Sequence, residues 1–191
     1  MAGDLGTGRG EVHEDARAVL DFWFALPPQK RFAKDDALDA EISGRFGALR
    51  DRLLATGAEG WRDDPDLLLA AIVALDQFSR NIHRGDPRAY EADPLALELT
   101  LLGLARGWDG HYPPERRTFL YMPLMHAEDM ETQRLSLDRF AALGEPESLR
   151  YAREHADVIA QYGRYPSRNR ALGRESTHAE LEYLSRLDAG W

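Results

Sequence analysis

Apolar residues recur at helical spacing through most of the chain. Between Val12 and Leu26, the residues Val12, Ala16, Val19, Leu20, Trp23 and Phe24 fall on one broad face, predicting a helix that Pro27 and Pro28 end. From Asp36 the set Leu38, Ile42, Phe46, Leu49 and Leu53 predicts a second, amphipathic helix, closed by a Gly- and Asp-rich turn around Gly57 to Asp64. Asp64-Pro65 then reads as an N-cap followed by proline at the first helical position, where a missing N–H does no harm. The helix it opens, Asp66 to about Ser79, is apolar nearly all round and is predicted to be the central one. Asp93-Pro94 repeats that start, with Leu97, Leu101, Leu104 and Trp108 on one side of the helix that follows.

Further along, a shorter helix is expected from Pro113-Pro114 to about Met122, where Pro123 should end or kink it. Another is expected from Ala127 to Leu143, stopping at Gly144. Pro146 opens the next, with Leu149, Ala152, Ala156 and Ile159 beside a second stripe of Tyr151, His155, Val158 and Tyr162, and Gly163 as its C′ residue. Residues 164 to 176 have no helical period. Thr177-His178-Ala179-Glu180 is a capping box that opens a last helix with Leu181, Leu184 and Leu187. No stretch alternates with period two and β-branched enrichment, so no sheet is expected. The pattern predicts an all-α protein of about eight helices, arranged as stacked antiparallel helical hairpins, in one domain spanning residues 11–191 after a disordered start at 1–10.

Composition narrows the function classes. The chain has 191 residues, enough for one sizeable core, with 43% hydrophobic and 30% charged residues. Its net charge of -9 argues against a sequence-independent nucleic-acid binder, which needs excess cations to neutralise phosphates. Cysteine is absent, which removes disulfides, thiolate nucleophiles and Cys-ligated metals. Met1 to Gly10 lacks the apolar segment of a signal peptide, and the longest apolar run, Leu67 to Leu75, is far short of a membrane span. A cytoplasmic location is expected, with no membrane partner, and oligomeric state has no signature here. Lysine occurs only as Lys30 and Lys34, so arginine abundance alone carries no meaning and only clustering counts.

Two clusters stand out. Asp76-Gln77-Phe78-Ser79-Arg80-Asn81-Ile82-His83-Arg84-Gly85 follows the most apolar helix, and Gly163 to Ser176 places Arg164, Arg168, Asn169, Arg170 and Arg174 in a non-helical stretch. Guanidinium forks suit carboxylate or phosphate, so Arg80, Asn81, Arg84, Arg164, Arg168, Asn169 and Arg174 are candidate ligand-binding residues. Internal carboxylates such as Asp76, Glu128, Asp129 and Asp157 could equally supply the counter-charge, making these segments structural staples. His126-Ala127-Glu128-Asp129 is expected to begin a helix, with an imidazole and two carboxylates within one turn. His126, with Asp76 or Glu128 as its partner, is the candidate acid–base group, although acidic residues in a first helical turn also serve the macrodipole. His155, on an apolar stripe, reads as a satisfied core histidine, and Trp23, Trp61 and Trp108 read as core or capping residues. No H-E-x-x-H spacing, phosphate-binding glycine loop or G-x-S-x-G elbow occurs, so no metal and no cofactor is expected.

Asp76 to Gly85 (DQFSRNIHRG), His126 to Asp129 (HAED), Gly163 to Thr177 (GRYPSRNRALGREST) and Val19 to Phe24 (VLDFWF) together resemble the signature segments of the bacterial domain of unknown function 924 family. Ser79 stands where that pattern suggests proline, and Leu124-Met125 where it suggests an aromatic and an acidic residue. The resemblance implies a fold similar to tetratricopeptide-like helical hairpins and implies no activity. Three readings follow. The first is a groove, lined by the two Arg-Asn segments, that binds a small anion or carboxylate-bearing peptide. The second is a small-molecule hydrolase or lyase using His126 with a carboxylate partner. The third is a protein–protein interaction module in which both segments are purely structural.

Overall fold

The computed structural model describes residues 7–186. Helix α1 (Thr7–Ala25) is followed by the short α2 (Pro28–Phe32), then α3 (Asp36–Thr56) and α4 (Pro65–Ile72). Without a break, α4 passes through a π-helical stretch, Val73–Phe78, into α5 (Ser79–Ile82). The second half holds α6 (Asp93–Ala105), α7 (Pro114–His126), α8 (Met130–Leu143), α9 (Pro146–Tyr162) and α10 (His178–Arg186), with 3-10 turns at Pro87–Ala89, Trp108–His111 and Pro166–Arg168. No strand occurs among the described residues, so the all-α expectation holds. The expected disorder at residues 1–6 lies outside the described residues, and Thr7–Gly10 belong to α1 rather than to a coil. Leu187, expected in the last helix, also lies outside them.

Leu67 to Ser79 is buried at every position, which makes the α4–α5 rod the axis of the core. Around it pack α1, α3, α6 and α7, while α8 lies on α7 and α9 on α8. Links of two or three residues make α7, α8 and α9 successive antiparallel neighbours. The predicted faces of the first helices are the buried ones: Ala16, Val19, Leu20 and Trp23 on α1, and Leu38, Ile42, Phe46, Leu49 and Leu53 on α3. Trp23 meets Phe78 and Phe119 edge-on at 5.6 Å each, tying α1 to the rod and to α7.

Several ends behave as their sequences indicate. Asp64 accepts from the N–H groups of Asp66 and Leu67, and Glu180 and Thr177 close the capping box reciprocally. Gly163 (φ 70) ends α9 in the left-handed region that disfavours a Cβ. The C-terminus of α1 is closed by a distant cation: the Arg31 guanidinium donates to the carbonyls of Trp23, Phe24 and Leu26 at 2.8–3.0 Å and to Glu115.

Three expectations need correction. Asp93 does not cap α6; that position belongs to Ala92, which has no side-chain bond, because the Asp93 carboxylate is engaged by arginines. Helix α7 does not end at Met122 but runs through Pro123 to His126. Burial of Phe119, Leu120, Tyr121, Leu124 and Met125, at about 1.5–3 kcal/mol per side chain, outweighs the roughly 3 kcal/mol an interior proline costs. Thr100 supports the same turn by donating to the Leu120 carbonyl at 2.9 Å. Finally, His126-Ala127-Glu128-Asp129 does not begin a helix: His126 closes α7, and Asp129 caps α8 through the N–H of Thr132. Replacing Asp64 by Ala, at the start of the central rod, is expected to lower unfolding free energy by about 1 kcal/mol in urea titration, with an unchanged m-value.

Candidate functional site

The rod carries one carboxylate into its buried stretch, and a carboxylate there demands compensation. Asp76 is 1% exposed. Its Oδ1 meets His126 Nδ1 at 2.7 Å and Arg80 at 3.1 Å, and its Oδ2 accepts from the Gln77 amide at 2.5 Å. Neighbours in sequence, Asp76 and Gln77 both contribute because they sit in the π-helical turn, a geometry often found at functional sites. Arg80 then passes the charge outward, with two donors on the Asp93 carboxylate at 2.9 and 3.0 Å. Arg168, from the second polar segment, reaches Asp93 at 3.3 Å and the His126 carbonyl at 3.0 Å. Its guanidinium lies between the rings of Tyr90 and Tyr165, 4.8 and 4.5 Å from their centroids.

The two segments therefore meet in space through Asp93, a residue the sequence marks only as a helix start. They meet at a cleft of about 1200 Å³. Arg80, Asn81, Arg84, Arg168 and His126 line it together with Gln77, Tyr90, His155, Tyr165 and Arg170. The same lining includes Arg31 and the carboxylates Glu145, Glu147 and Glu154.

Other candidates are placed elsewhere or already engaged. Arg84 pairs through two donors with Asp39 at 2.8 and 2.9 Å, and Asn81 donates to the same carboxylate at 2.7 Å. Arg164 pairs with Glu180, Arg174 with Glu128, and Asn169 donates to Ser176. Glu128, the alternative partner for His126, instead accepts from the Tyr165 N–H and two Arg174 donors. The reason is that α7 ends at His126 and the extended Ala127 sends residue 128 toward the 164–176 segment instead of along His126's helix. Arg164 thus fastens that segment to α10, Arg174 fastens it to the link between α7 and α8, and the buried Asn169 closes it on Ser176, while Arg168 reaches the cleft.

Charge states follow from these contacts. Burial by itself pushes the Asp76 carboxyl up, but Arg80, His126 and Gln77 overcome it and hold it well below the ordinary range. Burial and the Arg80 cation push His126 down, against the opposing pull of Asp76. These two directions agree on one microstate at neutral pH: an Asp76 carboxylate and a neutral His126 whose Nδ1–H donates to it. Nε2 is then an unprotonated acceptor with no hydrogen-bond partner among the described residues. Burial, with further contributions from His126, Arg168 and Arg80, pushes His155 down to about 3. Its Nδ1 donates to the Tyr151 carbonyl at 2.8 Å, so it is the core-satisfied histidine the pattern suggests, yet it also lines the cleft 6.1 Å from the His126 ring. Arg168 is pushed down by burial and by Arg80, which means that its own surroundings undercompensate its charge. Among the described residues no group of His, Asp and Glu side chains is arranged to hold a metal ion, and no helix is long and apolar enough to cross a membrane.

Sequence reasoning missed Asp93, Gln77, Tyr90 and Tyr165. Asp93 was the one with a signal: Arg80 and Arg168 both need a carboxylate, and an Asp not required as a cap could supply it.

An all-α protein whose buried central helix carries a carboxylate paired with a histidine from α7, beside an arginine-lined cleft, is the class that this architecture defines. The chain matches the model described as "Bacterial protein of unknown function (DUF924)" over residues 19–188, and it belongs to that family. It is similar to a solved protein of unknown function from Agrobacterium tumefaciens, at 35% identity and a TM-score of 0.86, covering 90% of this chain and 97% of that one. Among curated proteins none matches.

Breaking the network should be costly in proportion to burial. Asp93→Ala, which takes from Arg168 its carboxylate partner and leaves Arg80 on Asp76 alone, is expected to lower unfolding free energy by about 1.5–3 kcal/mol in guanidinium titration, whereas exposed Arg170→Ala should stay within about 0.5 kcal/mol. Stability should also fall with pH in a defined window. His155 titrates near 3 in the folded protein against 6.5 for the free side chain. The unfolded chain therefore binds more protons between those values, and the contribution is whole above pH 6.5 and lost as pH falls toward 3. Thermal unfolding from pH 7.5 to 4 should show a shallower decline for His155→Asn than for the unsubstituted chain.

Proposed function

We propose that the cleft is the active site of a small-molecule hydrolase in which His126 is the general base. The observation that carries this reading is the 2.7 Å bond from His126 Nδ1 to the buried Asp76 carboxylate, which fixes the tautomer and leaves Nε2 as an acceptor at a cleft shared with Arg80 and Arg168. A carboxylate that orients imidazole and stabilises the imidazolium formed on proton uptake is the arrangement general-base catalysis needs. In the proposed step Nε2 takes a proton from water as the water oxygen bonds to an acyl carbon. Negative charge grows on the acyl oxygen beside Arg168, which spends two of its donor contacts on Asp93 and the His126 carbonyl and retains further N–H groups. The bond to the leaving group then breaks, and the proton held on Nε2 passes to it.

Anion binding enters this reading in a narrower form than a groove lined by both whole segments. Arg84, Arg164 and Arg174 already hold carboxylates in bidentate pairs and Arg80 so holds Asp93, so the anion-facing set reduces to Arg168 and the exposed Arg170. An incoming negative charge would relieve Arg168, whose environment disfavours its cation.

The test is turnover of 4-nitrophenyl acetate and butanoate with their amide counterparts. His126→Asn, which keeps a donor toward Asp76, is expected to lower kcat/KM by at least about 100-fold. Because burial and Arg80 keep the imidazole neutral, the acidic limb of the kcat/KM profile should lie below the ordinary histidine value of 6.5. An equal rate for His126→Asn and the unsubstituted chain, or no turnover of any member of the panel, would sink the hydrolytic assignment.

A further inference from the structure

Beyond the dyad, the cleft continues along α7 toward a wall that the chemistry above does not use. Phe32 is 63% exposed, the most exposed of the large hydrophobic side chains among the described residues, and it lines this cleft. Phe32 is not loose. Its ring stacks on Phe119 at 6.1 Å and 8°, and its helix is held by the bonds of the preceding Arg31 to the end of α1. Met122, one turn before His126, lines the floor between the two ends, and thioethers adapt to flexible apolar ligands.

The dyad end has Arg80 and Arg168, whereas at the other end Arg31 is paired with Glu115, and Glu147, beside Glu145, is paired with Arg150. From Thr118, which also lines the cleft, to His126 is eight residues of helix, or about 12 Å at 1.5 Å per residue. A ligand that fills this path has a single acceptor or anionic head at the arginines and an elongated apolar tail. It has no second charged end, because the wall that end would meet is apolar, formed by Phe32 and Met122.

We infer that the substrate is a medium-chain acyl ester, with its acyl carbon at His126 and its hydrocarbon tail laid over Met122 to Phe32. This inference rests on the hydrolytic reading for the ester bond, but the tail site is a binding property and is tested separately. Hydrolysis forms the C–O bond of the carboxylic acid and breaks the ester C–O bond, with the proton passing through His126 to the departing alcohol; no oxidant or further reactant is required.

The product carboxylates are the probes. Acetate, butanoate, hexanoate, octanoate and decanoate, kept below micellar concentration, are titrated by calorimetry into the unsubstituted chain, Phe32→Ser and His126→Asn. Affinity should rise about fourfold per added methylene and level off once the tail reaches Phe32. Phe32→Ser should weaken decanoate at least tenfold and leave butanoate unchanged. Since Phe32 is exposed, its melting temperature should match that of the unsubstituted chain. Decanedioate should bind at least tenfold more weakly than decanoate. Affinity independent of chain length, decanoate binding indifferent to Phe32→Ser, or decanedioate binding as tightly as decanoate would overturn the inference. Chain-length-dependent binding that persists in His126→Asn, with no ester turnover by the unsubstituted chain, would uphold the tail site and reject the hydrolytic step, so the two failures are distinguishable.

Discussion

A carboxylate at 1% exposure on a helix buried on every side sets the terms for much of this molecule. Removing Asp76 from water costs several kcal/mol unless fixed donors replace the solvent. Those donors come from three places: Gln77 beside it, Arg80 one turn on, and His126 at the end of α7. The arginine carries the same problem outward. It is answered by Asp93 at the start of α6, which also receives Arg168. One buried charge thus links the rod, α6, α7 and the 164–176 segment through a chain of short polar contacts.

That chain is closed at its base and open at its end. Asp76 and Asp93 are saturated with donors, whereas His126 and Arg168 line the cleft. The remaining arginines show what a purely structural guanidinium looks like in the same protein. Arg84 on Asp39, Arg164 on Glu180 and Arg174 on Glu128 each form bidentate pairs, and Arg31 saturates three carbonyls. The contrast separates staples from the site more sharply than arginine count or position in the chain does. Family membership fixes the fold and leaves chemistry to be argued from these side chains, since fold alone does not imply function.

The helical faces of α1 and α3, the Asp64 cap, the Gly163 terminus and the capping box at Thr177 and Glu180 were all legible in the sequence. Each depends on residues within one or two turns of one another, where spacing and local hydrogen bonding decide the outcome. So did the identity of His126, Asp76, Arg80 and Arg168 as groups worth attention. What failed were inferences about how α7 stops and how α6 starts. Pro123 looks like a terminator until the buried residues on either side of it are weighed, and Asp93 looks like a cap until two guanidinium groups compete for it.

By itself, then, the sequence determined an all-α chain with a buried central helix and two arginine-bearing polar segments. Periodicity and capping are short-range and read directly from neighbouring residues. Only the tertiary structure decided that Asp76 rather than Glu128 is the partner of His126, that Asp93 joins the two segments, and that Arg168 faces the cleft while Arg164 and Arg174 do not. The π-helical turn that brings Asp76 and Gln77 to one carboxylate cluster left no mark in the run VALDQF. These pairings join residues tens of positions apart, and which charge meets which is settled by packing, because a buried ion is stable only where its counter-ion is delivered by the fold.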